Sequence, residues 1–471
     1  MLHRHLTEFL ETRTQSQQPI LFSHACMAEA EAAIRETQRV EQRKRCLPAL
    51  VVLLLSLNLP LFRNLSVPDV YKLLVNAFRD IDSSDPLDDN VTDEAIVKAR
   101  RRLGFQPLES LFRRGCERRG EPAPSFHNFK LWAMDGSRFN VPDSAENEVG
   151  FGRPGASRGE TAFPQMLAVT LVDVVSHAVA DILFSGCRGS EKLMAIQILR
   201  TLGPDDLTLL DRGFASFDLL KTALDAQTQV VVRISDNWKP TIIRRFGDGD
   251  YLVRIRGRVD LPLAQQTARK KTQPCELVLR MICYTADNGG TIRLLTTLRN
   301  HQETSAQELA ELYNLRWECE LVYDELKNHL AVVNHGVSQL VFRSKKPATV
   351  MQEAYALFHT YNTIREMMCH AARMARCSPL QLSLAGTLNV IKLSMPTILG
   401  APAEAREALI KRLYKDMARC RLLRTRRPRR YPRKVKIKMS AFQVKRSRDK
   451  QSYHKPKIRL IDLYSPNEKS A

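Results

Sequence analysis

The hydrophobic pattern changes character near residue 127, with helical spacing before it and strand-like runs after it. From Leu47 to Phe62 almost every position is apolar, which predicts a helix buried on all sides, although Ser56, Asn58 and Pro60 interrupt it. A second helix is predicted to begin after Thr92, where Asp93 and Glu94 suit the first-turn dipole, and to stop at Gly104. Its later turns carry Lys98, Arg100, Arg101 and Arg102. On pattern alone such a helix is equally one presented to DNA and one with a solvated basic face. Residues 1–120 therefore read as a helical N-terminal domain, expected to bind DNA.

Beyond residue 127, FKLWAM (129–134) reads as a strand ending at Asp135-Gly136, followed by a Gly- and Arg-rich loop from Gly150 to Gly159. The runs QMLAVTLVD and HAVADILFSG predict a hairpin, and SEKLMAIQILRTL (190–202) has helical spacing closed by Gly203-Pro204. LTLL (207–210) is a strand ending at Asp211, 216–226 is helical, and QVVVRIS (229–235) is a strand. Three antiparallel strands, a crossover and two further parallel strands make a mixed sheet flanked by helices. That order resembles the ribonuclease H fold. The expected class is α/β, with a ribonuclease H-like mixed-sheet catalytic core whose first part spans 127–235. A β-rich insertion over 236–303 follows, its runs YLVRIRG, CELVLRMICY and TIRLLTTL divided by Gly247-Asp248-Gly249-Asp250 and Asp287-Asn288-Gly289-Gly290. A core helix and C-terminal helices are expected over 304–420 and a basic tail over 421–471. In such a sheet the first and fourth strands are neighbours, so Asp135 and Asp211 are expected to converge.

Composition narrows the function classes. The chain has 471 residues, 44% hydrophobic and 26% charged, enough for about three domains and far from disordered, collagenous or coiled-coil composition. Its 72 Lys and Arg against 51 Asp and Glu give a net charge of +21, which points to a polyanionic partner. From Arg421 to Leu460 there are 17 Lys and Arg with a single acid, Asp449, interleaved with Tyr431, Phe442 and Tyr453, a pattern that favours DNA contact over a solvated tail. The ten cysteines occur singly, and the absence of a CxxC pair speaks against a zinc ribbon or a thioredoxin-like site. The 47–62 run is too short to span a bilayer and the N-terminus shows no basic segment leading into an apolar core. The expectation is a cytoplasmic protein with no membrane partner.

The chemistry is concentrated on one further segment. Ser305-x-x-Glu308 is a capping box that predicts a long helix to about Leu330. Turned at 100° per residue, Leu312, Leu315, Cys319, Val322, Leu326 and Leu330 form an apolar stripe, and Tyr313, Arg316, Trp317, Glu320, Asp324 and Lys327 share another face. An exposed face laced with i,i+4 charge pairs accounts for this second set as well, until Asp135 and Asp211 are added. Phosphodiester cleavage needs an activated nucleophile and a stabilised leaving oxygen, and two divalent ions held by carboxylates supply both. Mg²⁺ takes a few hard oxygen ligands, so Asp135, Asp211 and Glu320 suffice for two Mg²⁺ or Mn²⁺. Arg316 and Lys327 suit phosphates, Tyr313 suits a distorted nucleotide, and Trp317 suits packing. Arg153 and Arg158 in the Gly-rich loop and Arg212 beside Asp211 are further candidates for phosphate contact. Gly150-x-Gly152-x-x-Gly155 neither follows a strand nor opens a helix, which argues against dinucleotide binding. Asp173, Asp181 and Cys369-His370 read as structural.

The string Tyr313-Asn-Leu-Arg316-Trp-Glu-Cys-Glu320-(x6)-Lys327 resembles the Y-R-E-K signature of the insertion-sequence-4 family of bacterial DDE transposases. Asp135-Gly136-Ser137 and Asp211-Arg212-Gly213-Phe214 resemble that family's two aspartate motifs, and 151–165, 426–438 and 91–112 are similar as well. The resemblance implies binding of an element's terminal inverted repeats, strand cleavage to a 3′-OH and its transfer to target DNA. It also implies a homodimer in the synaptic complex and association with the nucleoid. An inactive DNA-binding relic or regulator, or a ribonuclease H-like nuclease without strand transfer, would share the basic chain but not all of this chemistry.

Overall fold

The apolar run at 47–62 is the most deeply buried helix of the N-terminal region in the computed structural model, which describes residues 24–43, 45–79, 91–156, 159–260, 271–285, 290–330, 332–334, 337–340, 342–422 and 458–461. Arg158, the turn Asp287-Asn288-Gly289 and most of the basic tail, including Tyr431, Phe442 and Tyr453, lie outside the described residues. In chain order the elements are α1 (His24–Glu36), α2 (Ala49–Asn58), α3 (Val67–Arg79), α4 (Asp93–Leu103), α5 (Gln106–Arg119), β1 (Lys130–Asn140), α6 (Ala145–Phe151), β2 (Gln165–Asp173) and β3 (Val179–Gly186). There follow α7 (Glu191–Leu199), β4 (Asp206–Leu210), α8 (Phe217–Asp225), β5 (Gln229–Ile234), β6 (Thr241–Gly247), β7 (Asp250–Asp260), β8 (Thr272–Thr285) and β9 (Thr291–Thr296). The last are α9 (Ala306–Leu312), α10 (Trp317–Asp324), α11 (Pro347–Met374), α12 (Leu384–Gly400) and α13 (Ala403–Arg419). Among the described residues no helix is long and apolar enough to cross a membrane.

Two compact units divide these elements. The first gathers the described residues of Met1–Ala123, Asp135–Glu191 and Glu318–Leu422. Its axis is α11, buried along most of its length and packed by α2 and α5. Every residue of α2 is buried, and its two polar side chains are satisfied within the helix: Ser56 donates to the Val52 carbonyl (2.8 Å) and Asn58 to the Leu54 carbonyl (2.8 Å). That is how a buried helix tolerates polar residues. β2 and β3 form the predicted antiparallel hairpin, and β1 is the other neighbour of β2. The Val141 N–H donates to the Pro164 carbonyl (3.0 Å) and the Gln165 amide to Asn140 (2.9 Å). This pairing corrects the expectation that the first strand ends at Asp135-Gly136: β1 runs on to Asn140 because β2 continues the ladder and Phe139 is drawn into the core.

The second unit holds the described residues of Pro124–Met134, Lys192–Trp317 and Leu423–Ala471. Its strand order is β1–β4–β5–β9–β8–β7–β6. β1, β4 and β5 are parallel, in register from Lys130↔Asp206 to Met134↔Leu210 and from Leu207↔Gln229 to Leu210↔Val232, and the remaining pairs are antiparallel. The β-rich insertion thus extends the same large mixed sheet across β5. Buried Arg280 on β8 grips Asp250 with two hydrogen bonds of 2.7 Å and donates to the Thr304 carbonyl (2.6 Å), tying the inserted strands to the segment that opens α9. At the β6–β7 turn Gly249 has φ 67°, and a Cβ there would lie 2.3 Å from the Cys283 carbonyl, so only glycine fits. Neither α6 nor β6 stands out in the hydrophobic pattern: α6 is two turns long, and β6 is largely exposed.

Candidate active site

Asp135 and Asp211 are each the residue that follows the last rung, Met134↔Leu210, of the parallel β1–β4 pair. Both are half-buried. Asp211 begins a tight turn in which its Oδ1 accepts from the N–H of Gly213 (2.7 Å) and of Phe214 (3.3 Å). Asp135 accepts from the next backbone N–H, that of Gly136 (2.9 Å). A Cβ on Gly136 would come within 2.8 Å of the Glu191 carboxyl carbon, so glycine there lets a further acid approach β1 beside Asp135.

The expected single helix over 305–330 is broken. The capping box is fully formed, with Ser305 and Glu308 bonded reciprocally, and α9 runs to Leu312. Tyr313–Arg316 then tightens to a 3₁₀ turn, α10 follows, and Glu325–His329 loosens to a π turn. These changes of pitch turn the predicted stripe out of line: Leu312, Cys319, Val322, Leu326 and Leu330 are buried, but Leu315 is 41% exposed. The 3₁₀ turn has a fastening of its own, since the buried Tyr313 hydroxyl donates to the carbonyl of Leu210, the residue before Asp211 (3.1 Å). Arg316 and Glu320 are half-buried, as is Trp317.

Lys327 lies in the π turn and reaches back to β1. Its amine donates to Ser137 Oγ (2.5 Å) and to the Arg138 carbonyl (2.8 Å), 4.9 Å from the Phe139 ring centroid and 5.9 Å from that of Tyr323. Burial pushes the amine below its ordinary value, while the Asp135 charge opposes that shift. Tyr323 is a residue the motif reading missed. Its buried hydroxyl lies 3.2 Å from the Asp135 carbonyl and 3.2 Å from that of Ala168, and accepts from Thr170 (3.1 Å). Burial raises its phenol well above the usual range, keeping it neutral. Its position three residues after Glu320 and four before Lys327 is a helical spacing that places it beside both.

The other candidates divide by what they touch. Arg153 is engaged by Asp143, by Glu148 (3.2 Å) and by the carbonyls of Thr161 (3.1 Å) and Ala162 (2.9 Å), so its donors are spent on the loop itself. Arg212 is exposed. Of the basic residues in α4, Arg100 is buried against Gln352 (2.8 Å) and Glu353 (3.3 Å), and Arg102 donates to the Leu47 carbonyl (2.7 Å), leaving Lys98 and Arg101 on the surface. Gly152 caps the C-terminus of α6, which leaves the GxGxxG string without a helix N-terminus. Asp173 organises the β2–β3 turn, Asp181 pairs with Arg113, and His370 packs on Tyr414 at 4.4 Å between centroids.

Asp135 and Glu320 belong to the first unit and Asp211 to the second. Among the described residues no group of three or more His, Cys, Asp or Glu side chains is arranged to hold a metal ion, so the structure does not itself assemble the three acids into a ligand set. Their donor chemistry nonetheless suits Mg²⁺ or Mn²⁺: hard carboxylate oxygens on half-exposed side chains, with no soft thiolate or imidazole among them.

Residues 130–363, which include every site candidate, match the family model described as "Transposase DDE domain". Residues 21–113 match "Insertion element 4 transposase N-terminal". The chain is 29% identical over 353 residues to "Transposase InsG for insertion sequence element IS4" of Escherichia coli K12, covering 74% of this chain and 77% of that one. It is 34% identical over 132 residues to "Putative transposase InsZ" of the same organism, covering 27% of this chain and 44% of that one. A solved piggyBac transposase synaptic complex with hairpin DNA aligns at 10% identity and a TM-score of 0.38, over 88% of this chain and 81% of that one, a likeness too low to carry an argument. The DDE domain defines a metal-dependent DDE transposase that acts on DNA. Within that class the chain belongs to the insertion-sequence-4 family and is an insertion-sequence DNA transposase.

Proposed function

We propose that the protein binds the terminal inverted repeats of its element, cleaves a strand to expose a 3′-OH, and joins that 3′-OH to target DNA, on a ribonuclease H-like core. The observation that carries this reading is the β1–β4 register. Both aspartates directly follow one rung of a parallel pair, and neighbouring strands are about 4.8 Å apart. Two fastenings support it: Tyr313 to the residue before Asp211, and Lys327 to the residues after Asp135. Asp135, Asp211 and Glu320 would hold two Mg²⁺ (or Mn²⁺) ions. Bound there, divalent ions supply charge neutralisation at the attacked phosphate and at its entering and leaving oxygens. Arg316 forks onto a phosphate and Lys327 contributes a point charge beside Asp135. Tyr313, buried and bonded to the Leu210 carbonyl, holds the 3₁₀ turn that leads into Arg316 and Glu320. Exposed Arg212, next to Asp211, offers a further phosphate contact.

The helical region before residue 120 and the basic tail after 421 add sequence-independent affinity for double-stranded DNA. Two element ends must be joined, which calls for a homodimer in the synaptic complex, working at the nucleoid in the cytoplasm. The test is Glu320→Gln and Asp211→Asn in the full chain. Each should keep end binding and lose cleavage of a supercoiled donor with Mg²⁺ or Mn²⁺. Cleavage retained in either removes that carboxylate from the site, and nicks without joined donor–target products leave a nuclease instead.

A further inference from the structure

A buried charge cluster that none of the motifs predicts fixes the segment carrying Glu320 and Lys327 to its unit. In the turn between β2 and β3, Asp173 accepts from the N–H of Val175 (3.1 Å) and Ser176 (3.1 Å) and from the Ser176 hydroxyl, and His177 takes the left-handed backbone with φ 63°. The His177 ring is fully buried. Its Nε2 lies 2.7 Å from Glu318 Oε2 and its Nδ1 3.4 Å from Glu325 Oε2. Glu325 accepts from the Tyr361 hydroxyl (2.7 Å) and faces Arg365 Nη1 at 3.6 Å. Arg365 Nε donates to the Ser176 carbonyl (2.8 Å), which closes the circuit on the turn where it began. Burial alone would raise the Glu325 carboxyl, but Arg365, His177 and Tyr361 outweigh it and hold the group well below the usual carboxylate range.

The two gripped carboxylates bracket Glu320, and Glu325 opens the π turn, where the Leu330 N–H reaches back five residues to the Glu325 carbonyl (3.2 Å). A π turn is poorer than the α-helix it replaces and persists where side-chain contacts impose it, often at functional sites. Here those contacts fall on its first residue, and two residues later Lys327 meets Ser137 and Arg138.

We infer that the His177–Glu318–Glu325–Arg365 cluster is a positioning device that sets the register of the π turn and so delivers Lys327 to the strand bearing Asp135. The inference rests on the reading that Glu320 and Lys327 serve the reaction. The four side chains are positioning residues, acting through Lys327. The first readout needs no DNA: limited acylation of the full chain, with the modification rate of Lys327 followed by mass spectrometry against the other lysines. Glu325→Gln and the milder Tyr361→Phe should raise that rate by about tenfold, as local opening frees the amine. Arg365→Lys, which keeps a cation for Glu325, should restore slow modification where Arg365→Met does not. In the same variants cleavage should drop at least about tenfold while end affinity stays within about twofold, the split expected when a group acts in the transition state alone.

A folded Glu325→Gln chain in which Lys327 is modified as slowly as in the wild type overturns the inference. Should that variant not fold, Tyr361→Phe decides by the same measurement. The reading of the site fails separately: Glu320→Gln that still cleaves sinks it, whatever the acylation of the free chain shows about the cluster.

Discussion

His359 makes the stability of the first unit depend on pH across the mildly acidic range. It lies on α11, two residues before Tyr361, with its ring against α5, where a Cβ on Gly115 would stand 3.3 Å from Cε1. The ring is buried and its Nδ1 has no hydrogen-bond partner among the described residues. Burial first, then the charges of Arg119 and Arg118, lower its pKa from 6.5 to about 3. Because the folded value is depressed, the unfolded chain binds a proton that the folded chain refuses between those two values. Stability is therefore whole above pH 6.5 and is lost as pH falls. One proton corresponds to about 1.4 kcal/mol per pH unit, so acidification from pH 6.5 to 4.5 costs about 2 kcal/mol through this residue alone. Glu325, held below the carboxylate range, adds its own loss only below about pH 4.5. The perturbation is His359→Met, which fills similar space without a titrating group. Urea unfolding of both proteins at pH 6.5, 5.5 and 4.5, followed by far-UV circular dichroism, gives the difference in slope, and contributions from all other groups cancel. The variant should lose about 2 kcal/mol less than the wild type over that interval. Parallel pH dependences would refute the claim that His359 is buried in its neutral form.

Further outcomes follow from single contacts. Tyr323→Phe removes a buried hydroxyl shared by the carbonyls of Asp135 and Ala168, and should cost about 1 kcal/mol in urea unfolding and slow cleavage more than it weakens end binding; unchanged cleavage would separate Tyr323 from the site. Arg100→Met leaves Glu353 buried without its cation and should cost about 3–5 kcal/mol, most of it recovered in Arg100→Met/Glu353→Leu; a double variant no more stable than the single one would deny the pairing. Arg280→Met should likewise loosen the inserted strands, read as faster amide exchange across β7 and β8, and unaltered exchange would mean that Asp250 does not depend on it.

What the residue pattern revealed is what burial and local chemistry dictate. A run like 49–58 has no alternative to a core, and apolar runs broken by an acid and a glycine announce the β1–β4 pair, although β1 itself continues past Asp135 to Asn140. The capping box at Ser305 is local and therefore legible. The break-up of the 305–330 helix is not, because the 3₁₀ turn is tied to Leu210 and the π turn to His177 and Arg365, residues far away in sequence. Charge patterning does not say which cations are already engaged: in the fold Arg100, Arg102 and Arg153 each have carboxylate or carbonyl partners within the chain. Tyr323 and Glu325 sit between signature positions, in plain view but without a pattern of their own.

The proposed chemistry requires Asp135, Asp211 and Glu320 to share divalent ions, and metal-centred cleavage of the polypeptide tests that directly. Full-length protein with element-end DNA is loaded with Fe²⁺ in place of Mg²⁺ and treated with ascorbate and peroxide, so that radicals born at the bound ion cut the nearest backbone. The expected result is three clusters of cuts, next to Asp135, Asp211 and Glu320, all competed by Mg²⁺ and all lost in Asp211→Asn. Cuts confined to one of the three acids, or lying elsewhere in the chain, would contradict it.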